Sequence, residues 1–139
     1  MKFKGDQKKF VEYFLNGNRF GKVLGEKFVS LNDMECIFEY EVQSAHFNPN
    51  GILHGGALYG AMDSSQGMFI HYILNDAYKT AATGTSTIKY LAPLSSGKIR
   101  IRTFLKGQER RKYFVNSEAT DSQGKSVALL EEIWIAIPK

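Results

Sequence analysis

Residues 57–74 read ALYGAMDSSQGMFIHYIL, apolar on nearly every side, with Met62 and Met68 among many small residues. A helix that is apolar on most faces is a buried one. Its surroundings show what buries it. Ahead of it, HFNPNGILHGG (residues 46–56) is rich in turn formers and has no period of its own. Behind it, Thr83–Leu91 is rich in Thr and β-branched residues and stops at Pro93. Lys98–Lys106 alternates Lys98, Arg100 and Arg102 against Ile99, Ile101 and Thr103. A charged turn, Gly107–Lys112, leads into a strand at Tyr113–Thr120, and Asp121-Ser122-Gln123-Gly124 turns the chain into Ser126–Ile137. Upstream, Met34, Cys36, Phe38, Tyr40 and Val42 share one face of a strand while Glu35, Glu39 and Glu41 share the other. Phe10, Tyr13 and Phe14 lie at helical spacing in Asp6–Asn16, which ends at Asn16-Gly17-Asn18. Short turns between successive strands imply an antiparallel sheet of four or five strands. With one buried helix against it, the chain is expected to be an α+β domain.

The 139 residues match one domain, 1–139, with residues 1–30 supplying a covering helix and loop. Hydrophobic residues at 43% and charged residues at 23% exclude a disordered or fibrous chain. Cys36 is the single cysteine, which excludes a disulfide scaffold and the cysteine-rich kind of zinc site; on an apolar strand face it reads as core. No metal site is expected. The start, MKFKGD, lacks the apolar core of a signal peptide, and no stretch reaches the ~18 apolar residues of a membrane span, so a cytoplasmic protein is expected. Eighteen Lys and Arg against fourteen Asp and Glu leave a modest excess of +4, compatible with an anionic partner such as a phosphate-bearing small molecule. No helix with a basic face suggests nucleic-acid binding.

Asp63 stands in the middle of the buried helix. A carboxylate out of water is costly unless it is paired, so this position reads either as a general base or nucleophile, or as part of a polar stripe with Ser64, Ser65 and Gln66 at the sheet edge. At the helix start, His54-Gly55-Gly56 puts two residues without side chains where backbone N–H groups lack intrahelical partners. Those donors and the helix dipole suit a carbonyl oxygen that becomes an oxyanion; a plain Gly-rich turn is the bland alternative. Gly55 and Asp63 are eight residues apart, roughly 12 Å along one helix, so a single carbonyl cannot meet both. If both serve one site, that site combines Gly55 from one protomer with Asp63 from another across a two-fold axis.

The stretch HFNPNGILHGGALYGAMD, followed by TGTSTIKYLAP, resembles the hotdog-fold acyl-CoA thioesterases of the phenylacetate-pathway (PaaI-type) group over residues 34–137. The matching pattern is an Asn, a His-Gly-Gly six residues on and an Asp nine after the His, met here by Asn48, His54 and Asp63. The resemblance implies a long helix wrapped by an antiparallel sheet, dimers or pairs of dimers, and hydrolysis of a coenzyme A thioester, the coenzyme being part of the substrate and no further cofactor being needed. It implies that Asp63 is the base or nucleophile and that Asn48 orients the attacking water, with Asn50 as the other amide in reach. The Gly55 N–H, supported by His54, would polarise the carbonyl, and Thr83 falls where the family has a Ser or Thr near the carboxylate. Gly56, Tyr59, Ser64, Tyr90 and Pro93 are expected to line the ligand cleft. Tyr59, Met62, Met68 and Phe69 are candidates for an acyl tunnel, and Lys89, Arg110, Arg111 and Lys112 for contacts to the coenzyme A phosphates. His46 and His71 read as structural. A thioester has a good leaving group, so one carboxylate, a positioned water and an oxyanion hole suffice.

Two other classes stay open. Hotdog-fold dehydratases and hydratases have a His-Phe-Pro turn; here His46-Phe47 is followed by Pro49, one position late, and the helix carries Asp63 where they have Glu. An acyl-CoA sensor would keep the cleft without needing Asp63.

Overall fold

The computed structural model describes Phe3 and residues 5–139. Met1, Lys2 and Lys4, read above for a leader, lie outside the described residues. Among the described residues three α-helices, α1 (Gln7–Gly17), α2 (Arg19–Leu24) and α3 (Gly55–Ile73), and a single 3-10 turn (Ser44–His46) accompany six strands: β1 (Lys27–Leu31), β2 (Cys36–Glu41), β3 (Tyr78–Tyr90), β4 (Lys98–Glu109), β5 (Lys112–Thr120) and β6 (Ser126–Pro138). The strands form one sheet in the order β1-β2-β4-β5-β6-β3, every neighbour antiparallel.

The sheet curls around α3. Leu58, Met62, Met68, Phe69 and Ile70 of the helix pack with Phe38, Tyr40, Ile99, Ile101, Val115, Leu130 and Trp134 of the strands, all buried. Burying each large side chain contributes roughly 1.5–3 kcal/mol. The two inward hydroxyls of Thr103 and Ser117 satisfy one another at 2.7 Å. Gln66 ties helix to sheet: its Oε1 accepts from Trp134 Nε1 at 2.9 Å. His71 is structural as expected, bonded to the Gly67 carbonyl at 2.7 Å and to Thr80 Oγ1 at 3.0 Å. His46 meets the Tyr40 hydroxyl. Cys36 is buried in the core, and that burial pushes its thiol up to about 12, far from a nucleophile's range.

Several expectations need correction. The sheet has six strands because residues 27–31, assigned to a covering loop, form β1 against β2. Only Leu31 of β1 is buried, so its sequence carries no clear alternation. Asn18 closes α1, then caps α2, its side chain accepting from Gly21 N–H at 3.3 Å; the covering segment is therefore two helices. A side chain at Gly60 would come within 2.6 Å of Phe20, so this glycine lets α2 sit on α3. Met34 lies outside β2 and is exposed, while Ile37, off the expected apolar face, is buried. The charged turn is only Arg110-Arg111, with Arg110 in the left-handed region at φ 54; β4 and β5 absorb the rest. β3 begins at Tyr78, five residues before the expected start.

Candidate active site

The helix start is built as a donor site. His54 caps α3, and its Nδ1 accepts from the Gly56 N–H at 2.8 Å, which places the proton of the neutral ring on Nε2. The N–H groups of Ala57 and Leu58 bond the His54 carbonyl. The Gly55 N–H is left with no acceptor among the described residues. Gly56, expected to meet substrate, thus has its N–H committed to His54, and Gly55 holds the open donor. The Tyr90 hydroxyl donates to the Gly55 carbonyl at 2.8 Å and its ring lies over the glycine, where an added Cβ would meet Tyr90 Cζ at 3.0 Å.

A cavity of about 330 Å³ opens here, lined by Asn48, Gly55, Leu58, Tyr90 and Pro93 among others. The structure therefore gathers four of the expected site residues in one place. Asn50 does not line it; its N–H instead holds Asn48 Oδ1 at 2.9 Å, which orients the Asn48 amide.

Asp63 lies two turns further along the same helix. Tyr59, Asp63, Gly67 and His71, at four-residue spacing, form a half-buried stripe, whereas Ala61, Met62, Ser65, Gln66 and Met68 are buried. Ser64 is half-buried beside Asp63. The helix is thus not closed on all sides, and the open stripe runs beside β3, the sheet's edge strand. Residues 82–87 of β3 are all exposed, including Thr83.

Two further carboxyls approach Asp63, and the sequence reading missed both. Glu132 of β6 is 2% exposed and stands directly opposite Ser86 of β3. Its Oε2 accepts from the Ser86 hydroxyl in a very short bond and from Tyr59 Oη at 3.1 Å, and the Tyr59 and Ser86 hydroxyls are 2.8 Å apart. Burial raises the Glu132 carboxyl to about 8, and the neighbouring Asp63 carboxyl adds to the rise while the Ser86 and Tyr59 hydroxyls oppose it. Glu26, just after the left-handed cap Gly25, is raised to about 8 by burial, opposed by the Ser65 hydroxyl and reinforced by the Asp63 charge. Glu132 had a legible signal: β6 alternates Ala128, Leu130, Glu132, Trp134 and Ala136 inward, so one carboxyl falls on an apolar face. Glu26 had none.

The remaining expected residues are spread out. Tyr59 is bonded to Glu132 and Ser86 rather than standing free for substrate. Thr83 stands opposite Trp134, past a bulge at Gly84, so the hydroxyl that reaches the carboxyls is that of Ser86. Lys89 is exposed next to Tyr90. Arg110 and Arg111 lie at the other end of the sheet: Lys112 pairs with Ile135, whereas Tyr90 pairs with Ala128, roughly 23 Å along β6. Within one chain these cations do not share a cleft with Tyr90. No group of three or more metal-ligating side chains suited to an ion is found among the described residues.

An antiparallel sheet curled around one long helix, with an open N–H at the helix start and a carboxylate two turns on, defines the hotdog class of thioester-handling enzymes. Residues 50–128 match the model of the thioesterase superfamily, and the chain belongs to that family and is a thioester hydrolase. No curated protein matches the sequence. Among solved structures it is similar to the Escherichia coli PaaI protein from the phenylacetic acid degradation operon (18% identity, 93% of this chain and 91% of that one, TM-score 0.84). It is also similar to a mutant thioesterase from Pseudomonas aeruginosa (19% identity, 98% and 96%, TM-score 0.85) and to a protein from Thermus thermophilus (27% identity, 85% and 97%, TM-score 0.76). Among the described residues no helix is long and apolar enough to cross a membrane.

Proposed function

We propose that the protein hydrolyses acyl-CoA thioesters in the cytoplasm, as a homodimer that completes each active site with residues of both protomers. The observation that carries this is the division of the site. The cavity holding Asn48, Gly55 and Tyr90 lacks a base, while Asp63 lies on an open stripe beside an unpaired edge strand. Two copies related by a two-fold axis, with β3 edges adjacent and α3 helices antiparallel, bring Gly55 of one to Asp63 of the other. The same arrangement carries Arg110 and Arg111 of one protomer toward Lys89 and Tyr90 of the other, where they suit the phosphates of coenzyme A. A pair of such dimers is compatible with this geometry.

In this reading Asp63 takes a proton from a water held by the Asn48 amide, and the water oxygen attacks the thioester carbonyl carbon. Charge developing on the carbonyl oxygen is met by the Gly55 N–H and the dipole of α3. Collapse breaks the C–S bond and the coenzyme leaves as a thiol, with the proton returned through Asp63. No cofactor is required.

The acyl group has a candidate berth. The stripe Asp63–Gly67–His71 leads to a cavity of about 530 Å³ lined by Phe10, Tyr13, Phe14, Leu74 and Tyr78, which suits an aryl or medium-to-long acyl group. At Gly67 an added Cβ would meet Phe14 of the cavity wall at an ordinary 3.5 Å, so the backbone tolerates a side chain there and a larger one presses toward Phe14. Gly67→Leu is expected to cut kcat/KM for octanoyl- or phenylacetyl-CoA about 10-fold or more relative to acetyl-CoA. An unchanged ratio would place the acyl group elsewhere.

Thiol release from a panel of acyl-CoAs, measured with a chromogenic disulfide, tests the activity. Turnover of aryl- or medium-chain esters supports it; binding without release identifies a sensor. Loss of enoyl absorbance from an enoyl-CoA without thiol release identifies a hydratase.

A further inference from the structure

We propose that Glu132 is a positioning residue for Asp63, a protonated carboxyl that donates the hydrogen bond fixing the Asp63 carboxylate for proton abstraction. This rests on the reading of Asp63 as the base.

The second oxygen of Glu132 argues for it. Oε2 accepts from Ser86 and Tyr59, two bonds that favour the ionised form, so the case rests on Oε1 and on burial. Oε1 is buried and receives no hydrogen bond from any donor among the described residues, an expensive state for an ionised carboxylate. Tyr59, one helical turn before Asp63 on the same half-buried stripe, bonds this carboxyl at 3.1 Å, so Glu132 sits against the stripe that carries Asp63. Two carboxylates face to face repel, whereas one proton between them makes a short, charge-assisted bond and leaves one negative charge. With the proton on Oε1, every polar atom of Glu132 is satisfied and the pair of carboxyls carries one negative charge.

The surroundings place that proton on Glu132 rather than on Asp63. Glu132 is sealed between β3 and β5, with Ser86 on one side and Val115 on the other, while Asp63 is half open to the site. The ionisable or polar groups facing it are Asp63 and Tyr59 from α3 and Ser86 from β3, with Glu26 beyond Asp63 as a further acidic group. None of these is a cation that would favour ionised Glu132. Its neutral form therefore persists up to about pH 8. Above that, loss of the proton removes the donor and sets two negative charges side by side, so kcat should fall on the alkaline side.

Three variants test this in the full-length enzyme. Glu132→Gln keeps a donor to Asp63 and an acceptor for Ser86 and Tyr59, but cannot ionise; kcat at pH 7 should stay within about 3-fold of wild type while the alkaline fall disappears. Glu132→Leu keeps the volume and loses the donor, so kcat should drop about 10-fold or more with KM little changed. Ser86→Ala removes a hydroxyl that favours ionised Glu132 and should move the alkaline fall to higher pH, a readout that stands even if the Leu variant fails to fold. An alkaline fall retained in Glu132→Gln, or wild-type kcat in folded Glu132→Leu, overturns the proposal. If Asp63→Asn is inactive while both Glu132 variants behave as wild type, the base assignment stands and only the positioning role falls. An active Asp63→Asn removes both.

Discussion

Asp63→Asn is expected to lower kcat for thioester hydrolysis by about 10²–10⁴-fold, the usual weight of a positioned general base. The change is nearly isosteric at a half-buried position, and the Asn amide keeps an oxygen where the carboxylate had one. Thermal midpoint and oligomeric state should therefore stay close to wild type, and a folded variant that binds substrate without turning it over is the predicted outcome. KM should change little, because the carboxylate acts on water rather than holding the ester. Undiminished thiol release by a folded Asp63→Asn enzyme would take the carboxylate out of the reaction. The other polar residues of the helix would then be a stripe along the sheet edge.

Gly55→Pro is expected to cost about 10²–10³-fold in kcat by removing the one open donor at the start of α3. Proline is favoured at the first helical position, and His54 before it is already extended at φ −62, ψ 131, so the helix should form normally. Gly55→Ala provides the control. It presses on Tyr90 with the same Cβ but keeps the N–H, so the difference between the two variants isolates the hydrogen bond. Mixing inactive Gly55→Pro and Asp63→Asn chains then tests the shared site. In a mixed dimer one site carries both lesions and the other neither, so co-expression should restore about a quarter of wild-type activity. Sites contained within single chains would show no recovery.

The outline of the molecule was legible because its periods are local. The all-round apolar run at 57–74 can only be a buried helix, and the alternation of Lys98–Thr103 can only be a strand with one wet face. β1 escaped because an edge strand with one buried residue has no period to read. The start of β3 escaped for a related reason: on an open edge, Tyr78–Ala82 has a single buried residue, Ala81, and so no alternation strong enough to mark a strand.

For the candidate site, Asn48, His54, Gly55 and Asp63 could be picked out because their spacing along the chain is itself the pattern. Their eight-residue gap on one helix also motivates the proposal of a divided site. Glu132, Glu26 and Ser86 belong to the same chemistry, yet they come to Asp63 from residues between 23 and 69 positions away. Sequence by itself determined the class of fold, the helix that organises it and the carboxylate at its centre, since each depends on neighbours a few residues apart. Tertiary structure alone decided which glycine N–H stays open and which buried carboxyls, with their hydroxyl partners, lie near Asp63. Those depend on strand register and on desolvation, two properties that exist only once distant segments are packed together.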